Sequence, residues 1–204
     1  MVSFDVGYAT DMGNKRKVNQ DSIMIFEMDN IALFLIADGM GGMSDGEKVS
    51  RIAAKEMKLW IEKNKNTIMS VSEDMLVDIL FEEINNINHS IFDYRCKNNV
   101  KAGTTLTVFL IRNNTGIFAY SGDSRLYQIK NSMIKQLTED ETLYSYNEKN
   151  NVEDNSEKNK SILMSYIGKS ENLALNVQKI SVSENDIYVM CTDGFYNYLN
   201  MYDN

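Results

Sequence analysis

The sequence predicts an α+β layered sandwich built as a single domain. Two long stretches of helical periodicity follow one another between Gly46 and Cys96. Short strand-like runs flank them on both sides, joined by polar connections of hairpin length. Three of the apolar runs deliver an aspartate at or just past their carboxyl end: Asp38, Asp123 and Asp193.

Taken in order, residues 2–9 (VSFDVGYA) alternate roughly between polar and apolar and read as a first strand. A polar, turn-forming stretch follows with a basic cluster at Lys15, Arg16 and Lys17. Ser22 to Met28 is a second strand, and Asp29-Asn30 turns it into the run Ile31 to Ala37. That run is continuously apolar, as a strand buried on both faces requires. Gly39, Gly41, Gly42 and Gly46 come directly after Asp38, a density that lets the backbone approach a ligand closely. From Gly46 the period changes: Val49, Ile52, Ala53, Met57, Trp60 and Ile61 line one face of a helix reaching about Asn64. Ser72 followed by Glu73 and Asp74 opens a second helix, whose apolar stripe runs from Leu76 to about Cys96. Four short strands are predicted next, Thr104–Ile111, Gly116–Tyr120, Arg125–Ile129 and Met133–Gln136. Residues 139–160 are rich in Asn, Glu and Lys and read as a mobile surface loop. Ile162 to Ile167 reads as a short helix ended by Gly168, and two last strands, Leu173–Ile180 and Asp186–Thr192, lead to Asp193.

Composition narrows the chemistry. The 204 residues carry 29 acids against 21 Lys and Arg, a formal charge of −8, which disfavours nucleic acid as a partner. No apolar run nears the roughly 20 residues of a membrane span, and no signal peptide is legible, so a cytoplasmic protein is expected. The two cysteines, Cys96 and Cys191, match no zinc spacing, and His89 is the single histidine. A zinc site or a Ser-His-Asp triad is therefore nearly excluded, and the chemistry falls to carboxylates, hydroxyls, Arg and Lys.

Asp-Gly is an ordinary turn dipeptide, and one instance would carry no function. Recurrence at three strand ends changes the reading. If Asp21, Asp38, Asp123 and Asp193 converge, four anions need protons or a hard divalent cation between them. All-oxygen ligands favour Mg²⁺, Mn²⁺ or Ca²⁺, and a pair of such ions is a clamp for phosphate-ester hydrolysis. Arg16, just before the strand that pairs beside Asp38, is suited to grip phosphate oxygens bidentately. The glycines fit neither the Walker pattern nor the dinucleotide fingerprint, so a nucleotide-binding module is a distant reading.

The blocks RKVNQDS (Arg16–Ser22), ADGMGG with GE (Ala37–Glu47), AGTTL (Ala102–Leu106), GDSRLY (Gly122–Tyr127), QLTED (Gln136–Asp140) and CTDGF (Cys191–Phe195) fall in one order along the whole chain. In that order they resemble the metal-dependent serine/threonine protein phosphatases of the 2C type, in their compact bacterial form. The resemblance implies a four-layer αββα sandwich, two antiparallel sheets flanked by helix pairs. It implies Mn²⁺ or Mg²⁺ as cofactor, two ions and a weaker third. Asp38 would bridge the two with the Gly39 carbonyl assisting, Asp21 and Asp193 would each complete one, and Asp123 with Asp193 would hold the third. Arg16 would bind phosphate, and the 139–160 loop would be the flap near the substrate. Phosphorylated proteins, the products of a serine/threonine kinase, would be the partners.

The chain departs from the family pattern at several positions. Met43 and Glu141 stand where the family usually has histidines, and Met40 stands where eukaryotic members have an acid histidine. The family also continues past the Asp193 block to a strand bearing a further metal aspartate. The closing Tyr202-Asp203-Asn204 imitates its Asp-Asn pair but lies too near Asp193 to serve. The expectation is a carboxyl-terminally incomplete domain with an open sheet edge through which it self-associates, or whose gap Tyr196 to Tyr202 fills. The alternative function is a non-catalytic relative that binds phosphoproteins or a regulatory partner.

Overall fold

The computed structural model describes residues 4–14, 16–41, 45–152 and 156–199. Strands β1 (Asp21–Met28) and β2 (Ile31–Met40) form the first hairpin, and helices α1 (Asp45–Ser70) and α2 (Glu73–Asn98) follow. Next come β3 (Gly103–Thr104), β4 (Leu106–Arg112), β5 (Thr115–Ser121), β6 (Arg125–Lys130) and β7 (Met133–Gln136). Helix α3 (Leu143–Lys149), a 3-10 helix (Glu157–Ser161), β8 (Asn176–Ser181), β9 (Ile187–Cys191) and α4 (Asp193–Leu199) complete the described fold. Two antiparallel sheets result: one in the order β1-β2-β4-β5-β8 with β3 paired to β2, and one in the order β7-β6-β9. This is the α+β sandwich that the sequence predicts.

The continuous apolar runs have the cause expected of them. In β2 and β4, Leu33, Leu35, Val108 and Leu110 face α1 and α2, meeting Met57, Ile61, Leu80 and Ile84. The alternate residues Phe34, Phe109 and Ile111 face the smaller sheet, meeting Leu126, Tyr188 and Met190. A strand with period-two side chains and a core on each side can carry no polar face. Among the described residues no helix is long and apolar enough to cross a membrane.

Helix α2 begins as predicted, with the Ser72 hydroxyl accepting from the Met75 amide at 3.3 Å. Helix α1 runs six residues beyond the predicted end at Asn64, because its stripe continues to buried Ile68. Its last turn has no basic residue of its own. Buried Arg112 of β4 supplies one, donating from Nη1 to the carbonyls of Ile68 and Val71, both at 2.7 Å.

Three predicted elements come out differently. Residues 4–9 form no strand; Phe4 packs edge-on against Phe34 at 6.2 Å while Tyr8 is exposed. A period-two pattern makes a strand only where a partner edge accepts its hydrogen bonds, and among the described residues none does so. Residues 162–167 are not helical: Leu163 bridges to Thr142 and Ile167 to Thr104, which holds the segment extended. Buried Asn88 of α2 draws in the following turn, accepting from Gly168 and donating to the carbonyls of Ser170 and Glu171. The polar 139–160 stretch carries α3, capped by the Thr142 hydroxyl, and the 3-10 helix, with Asn147 and Asn159 buried between them. Lys15, Gly42, Met43 and the terminal Tyr202-Asp203-Asn204 lie outside the described residues.

Candidate metal centre

The first hairpin sets the site. Asp21 begins β1 and stands opposite Asp38 in the β1–β2 register. Past Asp38 the ladder passes from β1 to the short β3, with Gly39 opposite Thr104 and Met40 opposite Gly103. The Asp38 peptide is pinned on both sides by two threonines. Its N–H donates to the Thr105 hydroxyl at 2.9 Å, and its carbonyl accepts from the Thr105 amide at 2.9 Å and the Thr104 hydroxyl at 3.0 Å. The Thr105 hydroxyl also meets that of Ser124 at 2.7 Å, and Thr107 donates to the Ser124 carbonyl at 2.9 Å. Asp38 and the Asp123-Ser124 turn are thereby held by one short stretch, residues 104–107, where β3 passes into β4.

Glycine is required where β2 meets α1. A Cβ on Gly39 would stand 2.0 Å from the Gly46 carbonyl oxygen, and one on Gly46 would stand 2.7 Å from the Gly39 oxygen. Backbone meets backbone there, with the Gly39 carbonyl in the junction. Gln20 ties the entry chain to this junction. It donates to the Gly41 carbonyl at 3.3 Å and accepts from Arg16 Nη1 at 3.1 Å, which fixes an exposed guanidinium beside the glycine turn.

The remaining aspartates arrive from the smaller sheet. Asp123 lies buried in the turn between β5 and β6, and Asp193 is the exposed first residue of α4. Thr192, just before it, donates to the Asp21 carboxylate at 2.9 Å and joins the end of β9 to the start of β1. The ring of buried Tyr196 in α4 lies under the Arg125 guanidinium at 3.5 Å. Arg125 in turn forms a two-pronged pair with Asp140, at 2.9 and 2.7 Å.

Electrostatics confirms that these carboxylates share one neighbourhood. Burial, then the charges of Asp21, Asp193 and Asp123, push the Asp38 carboxyl up to about 8. Burial, then Asp193 and Asp140, push Asp123 up to about 6. Burial also raises Asp21, against hydrogen bonds from Thr192 and Asp38 and the pull of Arg16. Among the described residues no three acidic, Cys or His side chains close on a single point. A hard divalent cation does not need that: Mg²⁺ keeps several waters and takes only one or two carboxylates. Four carboxylates and a backbone carbonyl make an all-oxygen donor set, which fits such an ion and disfavours zinc.

All the predicted site residues, Arg16, Asp21, Asp38, Gly39, Asp123 and Asp193, fall within this region. Gln20, Thr105 and Thr192 carry no role in the sequence reading, and Tyr196 enters it only as the start of a gap-filling segment. The first three lie inside the RKVNQDS, AGTTL and CTDGF blocks, and only the folded chain gives them their partners.

With the geometry in hand, the comparisons fall in one direction. The protein phosphatase 2C family profile matches residues 13–204. The serine/threonine phosphatase Stp of Listeria welshimeri is 28% identical over 197 residues, 93% of this chain and 77% of that protein. The protein phosphatase PhpP of Streptococcus pneumoniae is 26% identical over 201 residues, covering 95% and 79%. The solved structure of the S. agalactiae serine/threonine phosphatase superimposes with a TM-score of 0.82 at 27% identity, covering 93% of this chain and 79% of that one.

Proposed function

The chain belongs to the protein phosphatase 2C family, and on that premise we propose that it removes phosphate from phosphoserine and phosphothreonine in proteins at the Asp21–Asp38–Asp193 centre. The observation that carries the residue assignment is the double pinning of Asp38 opposite Asp21, with Arg16 bridged to the same junction through Gln20. Divalent cations, Mn²⁺ or Mg²⁺, supply when bound the Lewis acidity that makes water nucleophilic near neutral pH and offsets phosphate charge. Asp38, with the Gly39 carbonyl beside it, would serve two of them. Asp21 and Asp193 would each help hold one, and Asp123 with Asp193 would hold a weaker third.

The chain's own residues do the rest. Arg16 presents its fork to two phosphate oxygens and stabilises the charge that grows on them as the ester bond breaks. Gln20 limits where that fork can point. Thr104 and Thr105 hold Asp38 before substrate arrives, so little reorganisation is left for the reaction itself. Arg16 and Asp193 are exposed, which suits a phosphorylated side chain on an accessible protein segment. Such segments are the products of serine/threonine kinases, and the cytoplasm is the compartment that supplies them. The 139–160 segment, with α3, is the flap over that approach. β9 is an edge strand among the described residues, with Ile187 57% exposed, and two chains pairing along it is the self-association to look for by light scattering.

The test is turnover of a phosphothreonine peptide and of p-nitrophenyl phosphate with added Mn²⁺ and with EDTA. The proposal expects hydrolysis of both that depends on the metal. A folded protein with no turnover under any metal would leave only the binding role.

A further inference from the structure

We infer that Glu141 is a positioning residue whose carboxylate clamps the Asp123 turn to the 139–165 segment and thereby sets cation affinity at the Asp123–Asp193 position. The inference rests on the metal reading above and goes beyond it by assigning a device to a residue outside the centre.

Glu141 takes both polar groups of one peptide. Its amide donates to the Gly122 carbonyl at 3.0 Å, and its Oε2 accepts from the Gly122 amide at 2.8 Å. Gly122 has a φ of +112°, and a Cβ there would stand 2.8 Å from the Thr105 side chain. The turn is thus held in a conformation that other residues adopt only with strain. The other carboxylate oxygen accepts from Asn176 of β8 at 2.7 Å, and the Glu141 carbonyl accepts from the Met164 amide at 2.7 Å. Asp140, one residue before, grips Arg125 through two oxygens. Two consecutive acids therefore hold Gly122 and Arg125, the residues flanking Asp123-Ser124.

The bonds to the Gly122 peptide and to Asn176 fix where Asp123 sits relative to the large sheet. An outer partner of this kind commonly sets metal affinity by roughly ten- to a hundredfold. A carboxylate acceptor makes such bonds about twice as strong as a neutral one. Glu141 therefore ties the Gly122 peptide to Asn176 of β8 and to the Met164 amide at once.

The experiment is Mn²⁺ titration calorimetry on the full chain, with thermal unfolding in EDTA alongside, for wild type, Glu141→Ala, Glu141→Gln and Asn176→Ala. Glu141→Ala is expected to weaken the weakest Mn²⁺ event by roughly tenfold or more, while the tighter events stay within about twofold. Glu141→Gln keeps an acceptor for the Gly122 amide and can pair with Asn176 after that amide flips, so it should recover most of the loss while, as a neutral acceptor, staying between Ala and wild type. Asn176→Ala frees only the outer oxygen and should shift the same event by a smaller factor; it decides the matter if Glu141→Ala does not fold. Unchanged affinities, an equal loss at every event, or a Gln variant as weak as Ala overturns the role of Glu141. A wild type that binds no Mn²⁺ overturns the metal reading with it, whereas wild-type binding with an unaffected Ala variant overturns this inference alone.

Discussion

Replacing Thr105 with valine removes one hydroxyl and almost no volume, so its cost isolates the hydrogen bonds that hold Asp38. The side chain is 1% exposed, accepts from the Asp38 amide at 2.9 Å and meets the Ser124 hydroxyl at 2.7 Å. Valine leaves both partners without a bond in a site that has little water. A buried polar group so stranded costs about 1–3 kcal/mol, so Thr105→Val is expected to cost about 2–4 kcal/mol. That is a large share of a typical domain stability of about 5–15 kcal/mol. With a urea slope of about 2.5 kcal/mol/M for a chain of this size, the midpoint falls by roughly 1–1.5 M. Ser124→Ala should cost less, because the Thr105 hydroxyl keeps the Asp38 amide. The double variant should cost less than the sum, because Ser124→Ala deletes one of the groups that Thr105→Val strands. Equilibrium urea unfolding in EDTA reads all three. A Thr105→Val variant within about 0.5 kcal/mol of wild type, or strictly additive costs, would refute the reasoning.

Three further outcomes follow from single contacts. Arg112→Met strands the Ile68 and Val71 carbonyls at the end of α1 and should cost about 2–3 kcal/mol by the same unfolding assay. Arg125→Lys gives up the two-pronged contact with Asp140 and the stack on Tyr196 and should lower stability by about 2–4 kcal/mol, read as a loss of thermal midpoint. Burial pushes the Glu83 carboxyl up to about 7, with a hydrogen bond from Asn86 opposing and Glu56 adding to it. An acid raised in the folded state stabilises while protonated, so its contribution is present below about 4.5 and is lost as pH rises through about 7. Because the group is half exposed, the effect is small, about 0.5–1 kcal/mol after screening. Glu83→Gln should therefore raise the thermal midpoint at pH 8 and leave it nearly unchanged at pH 5, and equal shifts at both would contradict the assignment.

Much of this fold is legible because its core repeats a simple rule. The stretches 31–37 of β2 and 108–111 of β4 are apolar at every position since each strand has a core on both sides, and the stripes of α1 and α2 have one side to bury. Ser72 marks the start of α2 because its hydroxyl has a fixed local partner in the Met75 amide. What fails is what depends on distant partners. Residues 4–9 have the pattern of a strand but pair with no edge among the described residues. Ile162 to Ile167 has the pattern of a helix but is held extended by Thr104 and Thr142. The end of α1 is invisible from its own residues, because the cation at its last carbonyls comes from Arg112, more than forty residues on. The site divides in the same way. Its aspartates are announced by strand-end position, while Thr105, Gln20 and Thr192 are polar residues of ordinary kinds until the folded chain sets them against Asp38, Arg16 and Asp21.

The most direct measurement compares wild type with Asp38→Asn in one preparation, reading Mn²⁺ binding by calorimetry and phosphothreonine-peptide turnover under the same buffer. Asp38 is the carboxylate assigned to two cations, so the expected result is loss of at least two Mn²⁺ events together with a fall in turnover of at least about a thousandfold, near 4 kcal/mol of transition-state stabilisation. The protein should remain folded, since the Asp38 backbone bonds to Thr104 and Thr105 do not involve the carboxylate. A variant that binds Mn²⁺ and turns over peptide as wild type does would contradict the assignment of the centre.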